Sequence, residues 1–463
     1  MSAHSDIVAR LRDALGGRVD TSAAALADAR ADKSGHAASG TPLAVVHAAS
    51  VADVQETLRI ATATRTPVVT RGAGTGLAGG ANAGEGEIAL SVRGMDRILE
   101  VRPDDLLAVV EPGILNAALN ARLAADGLWW APDPASRAIS TIGGNIATGA
   151  GGLLCAKYGV VRDAVLGVDL VLADGRLLHL GHRTVKGVTG LDLTSLVIGS
   201  EGTLGVVVGA TLKLRRLIPG EVCTIAATFA DVRTAAVASA AVTASGAQPA
   251  IMELMDAASL AAVHALLRLD PPTPGASQLT IQTDGPAAVA EAETIAAVLR
   301  ASGGTVAVSS DREEGERLLT VRRSMHPAME TLGTTLIEDV SVPRSALPAM
   351  FDQIARVERE HGVVIPTVAH AGDGNLHPNF IFDAEPDAAG IVDVPDAIWD
   401  AADDLFRAAL RLGGTLTGEH GVGILKRRWL ADELGDDQWE LQRQITRAFD
   451  PLGILNPGKV FAP

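Results

Sequence analysis

Residues 71–86 read Arg71-Gly72-Ala73-Gly74-Thr75-Gly76-Leu77-Ala78-Gly79-Gly80-Ala81-Asn82-Ala83-Gly84-Glu85-Gly86. They follow Pro67-Val68-Val69-Thr70, an apolar, β-branched run that reads as a strand ending at Arg71. Within them Gly74-Thr75-Gly76-Leu77-Ala78-Gly79 has the form G-x-G-x-x-G, and Glu100 follows about twenty residues on. In a dinucleotide-binding βαβ unit the third glycine opens a helix, and the helix N-terminus holds the pyrophosphate. Nothing in Gly80 to Gly86 can start a helix, so the stretch reads as a loop leading into a strand near Ile88, and a nicotinamide-type fold is set aside. Backbone N–H groups of such a loop can still cradle a diphosphate as an anion nest. An ordinary glycine-rich turn is the competing reading, and a single motif does not separate the two.

Three more pieces share the loop's chemistry: Pro132 to Ser136 with Ser140-Thr141-Ile142-Gly143-Gly144-Asn145, then Thr148 to Gly152, then Ile198 to Gly205. Each joins small residues that permit close backbone approach to a few hydroxyls and amides. Such loops near strand ends suit one long dinucleotide. Around them, periodicity predicts a helix over 6–15, a polar, partly irregular lead-in over 22–41, and strands over 42–47, 67–71, 88–92 and 106–110. Helices are predicted over 51–64 and 114–126, and 131–163 reads as a long functional loop region. Strands follow at 165–172, 177–180 and 206–214. From about 220 to 350 strands alternate with Ala-rich helices at 230–245, 286–301 and 312–330, as in an α+β lobe of its own. Strands return near 363–380, with helices at 396–412 and 436–448.

Four pieces in order, Arg71 to Gly76, Ser140 to Asn145, Gly199 to Gly205 and Asn456-Pro457-Gly458-Lys459, resemble the FAD-linked oxidase family, which has the vanillyl-alcohol-oxidase-like fold. The branch most resembled holds D-lactate dehydrogenases, D-2-hydroxyglutarate dehydrogenases and the flavoprotein subunit of glycolate oxidase, and the resemblance runs from about Pro42 to Phe461. It implies an α+β chain with a two-part FAD-binding domain, an α+β substrate (cap) domain, and a C-terminal segment returning to the flavin. The corresponding division is a lead-in over 1–41, then 42–217, 218–415 and 416–463.

Carried over residue by residue, the resemblance puts the pyrophosphate on Arg71, Gly72, Gly74, Thr75, Gly76, Leu77, Gly79 and Gly80. It puts the isoalloxazine and ribityl chain on Pro132, Asp133, Ser136, Thr141, Gly143, Gly144 and Asn145, continuing through Gly151, Gly152, Tyr158 and Gly159. The adenine side falls on Glu201, Gly202 and Val206, and Asn456 and Lys459 return to the flavin. Some relatives attach FAD through a histidine near the glycine loop. None lies in 66–100 here, so FAD is expected to bind noncovalently.

A second cluster is built from side chains. His370 and His377 flank Gly372-Asp373-Gly374, and Thr417-Gly418-Glu419-His420-Gly421 follows some forty residues later. In a plain strand, positions seven apart face opposite sides, and a Gly-Asp-Gly turn breaks that parity. Two imidazoles and a carboxylate, His370, His377 and Glu419, suit Zn²⁺ or Mn²⁺ with an open position. His420 is left as a base. The alternative is a hydrogen-bonded core pair of histidines beside a surface glutamate. The family places its metal ligands and base at these same motif positions. Asp373 can orient a histidine N–H, and Asn379 can reach substrate.

A carboxylate substrate calls for a bidentate arginine. Arg322 and Arg323 share one predicted helix, and spacing from Asp339-Val340-Ser341-Val342-Pro343 puts Arg322 where relatives bind the substrate carboxylate, a solvated helix charge being the competing reading, with Arg323 facing solvent. Relatives that take 2-hydroxyglutarate carry a basic residue just before that motif. Leu336 and Ile337 stand there instead, with His326 as a substitute cation.

The resemblance thus implies oxidation of a D-2-hydroxy acid, D-lactate-like, glycolate or D-2-hydroxyglutarate, to the 2-oxo acid. The hydride goes to flavin N5 and the hydroxyl proton to His420, while Arg322 and the metal hold the carboxylate. Electrons then pass to a quinone, a cytochrome or an electron-transfer flavoprotein. Two further readings are an alkylglycerone-phosphate synthase-like transferase and a flavin-binding subunit of a multi-subunit glycolate oxidase.

Composition limits the rest. The 463 residues carry a net charge of −16, which excludes nucleic acid as an ordinary partner because that needs a basic face. Two cysteines, Cys155 and Cys223, cannot ligate an iron–sulfur cluster alone or form a disulfide framework. Met1 to Gly17 is charged, without a signal-peptide core, and no run of about 18 apolar residues predicts a membrane span. The expected location is the cytoplasm, with any membrane contact peripheral and through a partner. A homodimer is the base-rate expectation.

Overall fold

The computed structural model describes residues 3–385 and 392–461, which form two compact units. The first comprises residues 3–151, 159–217 and 419–461. The second comprises 152–158 and the described part of 218–418.

In the first unit a four-stranded sheet runs in the order Val19–Asp20, Ala44–His47, Ile88–Ser91, Val68–Arg71, and the last three strands are parallel. Parallel neighbours need a crossover. Helix Val51–Thr64 carries the chain from Ala44–His47 over to Val68–Arg71, on the far side of Ile88–Ser91; it is capped by Ser50, whose side chain accepts from the Asp53 N–H, and closed by Arg65 in the left-handed conformation. The helix buries Val54, Leu58 and Ala61 against Val46, Val68 and Leu90 of the sheet. Residues 72–87 contain neither helix nor strand, so the glycine loop joins the end of one parallel strand to the start of its neighbour. The chain's end returns to this sheet. The Val68 N–H donates to the Ile454 carbonyl at 2.7 Å, and the Asn456 N–H donates to the Val68 carbonyl at 2.8 Å.

A second, antiparallel sheet of this unit runs Ile98–Arg102, Leu107–Val110, Val206–Lys213, Val165–Val171, Leu177–Gly181. Its core holds Trp130, Leu119, Leu170 and Leu212. Residues 131–163, read from sequence as loop, in fact contain a helix at Ile142–Thr148 and a turn of helix at Cys155–Tyr158. The Thr141 hydroxyl accepts from the Gly144 N–H, and Gly149, in the left-handed region, ends the first of these helices. Gly143 sits where a Cβ would come within 2.5 Å of the Pro112 Cβ, so its missing side chain serves packing rather than flexibility.

The second unit is built on an antiparallel sheet in the order Thr305–Ser309, Glu221–Phe229, Ser277–Gly285, Ile251–Met255, Thr367–His370, Asn375–Phe382, Thr334–Ile337. Val340–Ser341 also pairs with Asn375–Phe382. Two helices not singled out in the sequence, Ala257–Leu267 and Leu347–His361, belong here, and the predicted helix over 312–330 breaks at Ser324 into Arg312–Arg323 and Met325–Glu330. Met255 and Val368 of the sheet pack with Val321, Met325 and Met329 of those helices. Among the described residues no helix is long and apolar enough to cross a membrane.

Candidate active site

The histidine pair sits on a hairpin of the second unit. Ala371 to Gly374 turn the chain, with the Asp373 and Gly374 N–H groups both donating to the His370 carbonyl. The turn demands glycine at 374, where φ is +94° and a Cβ would meet the Val342 carbonyl oxygen at 2.1 Å. Register places His370 opposite Asn375 and Val368 opposite His377. Directly paired residues of antiparallel strands share a face, so the four-residue turn brings both histidines to one side. Their rings lie edge to face with centroids 4.9 Å apart, and both residues are buried. The parity break read from Gly-Asp-Gly is thus what the hairpin does.

The same face carries Glu253, opposite His370 on the neighbouring strand. The His370 Nδ1 lies 2.8 and 3.0 Å from the two Glu253 carboxylate oxygens. The Arg322 Nε donates to Glu253 Oε2 at 2.7 Å, from the last turn of helix Arg312–Arg323. Burial pushes the Glu253 carboxyl up, but His370 and Arg322 outweigh it and hold the pKa below the ordinary value. Asp339 lies with its Oδ1 3.8 Å from His377 Nδ1, and it accepts from Asn375 Nδ2 at 2.5 Å and from the Thr417 hydroxyl at 2.6 Å. Two imidazoles with carboxylates beside them and no sulfur donor are the donor set of a borderline divalent ion such as Zn²⁺. The residues present fit such an ion.

Other expected site residues of this unit are placed differently. Asn379 is buried and donates its amide to the Pro366 and His377 carbonyls, so it holds the strand. His326 is exposed and pairs with Glu330 one turn along its own helix, outside the buried cluster. Arg323 pairs with Glu316 at the surface, as expected. Asp373 accepts from the Asn375 N–H within the turn. The Tyr158 hydroxyl meets the Asp284 carboxylate, which also takes Lys157 Nζ at 2.5 Å.

In the first unit, Glu419 and His420 are adjacent, with His420 Nε2 3.9 Å from Glu419 Oε1, and Glu419 packs so closely on Gly151 that a Cβ there would meet its Oε2 at 2.5 Å. The turn after them is fixed by Glu201, which accepts from the Val422 N–H at 2.7 Å and the Gly423 N–H at 2.9 Å. Burial pushes the Glu201 carboxyl up to about 7 despite those amides. Glu201, read from sequence as an adenine contact, therefore holds the turn that follows His420.

The glycine loop is shaped by Arg71, whose buried guanidinium donates to the Ala31 carbonyl at 2.8 Å and the Ala81 carbonyl at 3.2 Å. Gly72 faces Thr141, and a Cβ would sit 2.5 Å from its hydroxyl. Asn456 Nδ2 donates to the Gly80 carbonyl at 2.9 Å and the Glu201 carbonyl at 2.6 Å. Its Oδ1, the Thr70 hydroxyl and Asp32 Oδ2 are buried without a hydrogen-bond partner. Buried polar atoms are normally satisfied. Orphans grouped beside close-packed glycines fit a polar ligand such as a dinucleotide. The Asn145 side chain bonds Ser140 and Asn116, and Lys459 lies buried 3.8 Å from Glu87.

A family described as "FAD linked oxidases, C-terminal domain" matches residues 218–460, and one described as "FAD binding domain" matches 42–181. The chain belongs to the FAD-linked oxidase family. It is similar to the glycolate oxidase subunit GlcD of Bacillus subtilis, 38% identical over 91% of this chain and 89% of that one. Against GlcD of Escherichia coli K12 the identity is 34%, over 90% and 83%. A D-lactate dehydrogenase of Archaeoglobus fulgidus is 32% identical over 90% of each chain. This FAD-linked oxidase is an FAD-dependent oxidoreductase of that branch. Among solved structures, p-cresol methylhydroxylase matches with TM-score 0.77 over 99% of this chain and 97% of its own, and alkyldihydroxyacetonephosphate synthase with TM-score 0.74 over 98% and 84%. Identities of 17% and 18% show the fold alone, which is the vanillyl-alcohol-oxidase type.

Sequence reasoning missed Glu253. Its signal is a lone acid inside the apolar run Ile251-Met252-Glu253-Leu254-Met255. A charge buried at such a position needs a partner.

Proposed function

We propose that this chain oxidises a small D-2-hydroxy acid of glycolate or D-lactate size to the 2-oxo acid. The observation that carries the reading is the buried hairpin of His370 and His377 with Arg322 joined to it through Glu253. His370, His377 and Glu419 act as ligands of a divalent metal, Zn²⁺ or Mn²⁺. Arg322 binds the substrate carboxylate, and His420 takes the hydroxyl proton. FAD, held noncovalently by the Arg71 to Gly80 loop, the Ser140 to Asn145 turn and Asn456, supplies the hydride acceptor when bound, and the metal supplies positive charge at the substrate oxygens. The orphaned Asn456 and Thr70 oxygens support that assignment.

Ile337 supports the smaller acids over a dicarboxylate. It pairs with Asn379 on the histidine face, and it is apolar just before the Asp339 to Pro343 motif, where relatives that take 2-hydroxyglutarate carry a basic residue. The names of the GlcD and D-lactate dehydrogenase relatives support the same class. Two cysteines leave the chain without an iron–sulfur relay of its own, so electrons pass to an external acceptor, a quinone, a cytochrome, an electron-transfer flavoprotein or a partner subunit.

Turnover of a panel of D- and L-2-hydroxy acids with an artificial dye tests this. Glycolate or D-lactate should lead and D-2-hydroxyglutarate should trail. Preference for the dicarboxylate, or for L-acids, would overturn the substrate assignment.

A further inference from the structure

Glu253 stands on Ile251–Met255, a strand inside the second unit's sheet, with its side chain 1% exposed. A carboxylate this deep is costly unless every lone pair meets a donor. One oxygen takes the Arg322 Nε, and both lie within hydrogen-bond reach of His370 Nδ1. The two donors come from different elements, a helix end and a strand end, 48 residues apart in sequence (370 − 322).

We propose that Glu253 is a positioning residue that ties the arginine binding the substrate carboxylate to a histidine binding the metal, so that one buried carboxylate orients both. The inference rests on the functional reading above. A carboxylate on Nδ1 fixes the imidazole tautomer with its proton there, and leaves the Nε2 lone pair for a metal. Nε is one of five donors on an arginine, and an anchor at Nε steadies the plane of the Nη pair, the face that grips a carboxylate bidentately. A fault at Glu253 should therefore appear at two places at once, in metal retention and in substrate binding. A merely structural ion pair would lower stability and move neither.

Glu253→Gln keeps the shape but offers a single acceptor oxygen, and its NH₂ opposes one of the two donors. The holoenzyme variant is compared with wild type in Zn²⁺ retention against a competing chelator, and in KM and kcat with glycolate or D-lactate, whichever reduces the wild-type flavin. The expected result is a roughly 10- to 100-fold loss of Zn²⁺ affinity together with a KM raised about tenfold or more, at unchanged flavin content. A variant that melts lower yet keeps Zn²⁺ affinity and KM overturns the proposal. Wild-type protein that holds no Zn²⁺ and whose flavin no 2-hydroxy acid reduces removes the functional reading, and this inference with it. Should Glu253→Gln fail to fold, Arg322→Lys leaves the Glu253–His370 pair intact. It should keep Zn²⁺ and raise KM, and an unchanged KM overturns the proposal by that route.

Discussion

The glycine loop of the first unit and the histidine hairpin of the second are built by opposite means. From Gly72 to Gly80 the chain removes side chains. Backbone approaches Thr141 directly, Arg71 is consumed in shaping the loop, and acceptor oxygens of Asn456 and Thr70 stay buried without partners. On the hairpin it is side chains that matter, with Glu253 against His370 and Arg322, and Asp339 fixed by Asn375 and Thr417. The first arrangement is a cradle completed by something large and polar. The second is a set of side chains held in fixed orientations by one another. Damage to one should therefore spare the ligand of the other.

His377→Ala should have the largest effect. Bound metal, measured by elemental analysis, should fall below a tenth of wild type, and turnover should drop by more than the roughly 10- to 100-fold that loss of a supporting partner costs. Flavin content should hold. Gly374→Ala comes next, because its Cβ would enter the Val342 carbonyl at 2.1 Å in a backbone conformation that favours glycine. About 2–5 kcal/mol of destabilisation is expected from strain and overpacking together, read by denaturant unfolding, with metal lost before flavin. Asn456→Ala works on the other region. Losing its bonds to the Gly80 and Glu201 carbonyls should cost about 1–3 kcal/mol, seen as roughly tenfold weaker FAD binding by fluorescence titration, with metal content unchanged.

The smallest effect concerns pH. The folded Glu201 carboxyl, at about 7, lies above its ordinary value of 4.5. Between those pH values the folded chain holds a proton that the unfolded chain has released. The stability this group contributes is full below 4.5 and is lost as pH rises through 7. Glu201→Gln should flatten that part of the melting-temperature profile. An equally steep fall in the variant would assign the dependence to other groups.

What the sequence disclosed differs between the two regions for a physical reason. The parallel strands around the loop were legible because β-branched runs and the Ser50-capped helix over 51–64 agree with their tertiary setting. The loop itself was legible because Gly80, Gly84 and Gly86 interrupt any helix that Ala81, Ala83 and Glu85 could start. The helix Ile142–Thr148 was hidden, since Gly143 and Gly144 are chosen for contact with Pro112 and for capping at Thr141, not for helix propensity. His370 and His377 could be paired from the turn between them, because parity is local. Glu253 could not be joined to them, since that link depends on which strand lies beside Thr367–His370 in the sheet. His326, one turn from Arg322 in sequence, showed the reverse failure, because the break at Ser324 leaves it in solvent.

Anaerobic spectrophotometry of the protein loaded with FAD and Zn²⁺ shows whether the flavin takes hydride from a small 2-hydroxy acid with His420 as the base. Glycolate or D-lactate should bleach the visible flavin band in wild type, and His420→Ala should slow that bleaching by roughly 10²- to 10⁴-fold. A band that survives every 2-hydroxy acid, or a His420→Ala protein that bleaches as fast as wild type, would contradict the account.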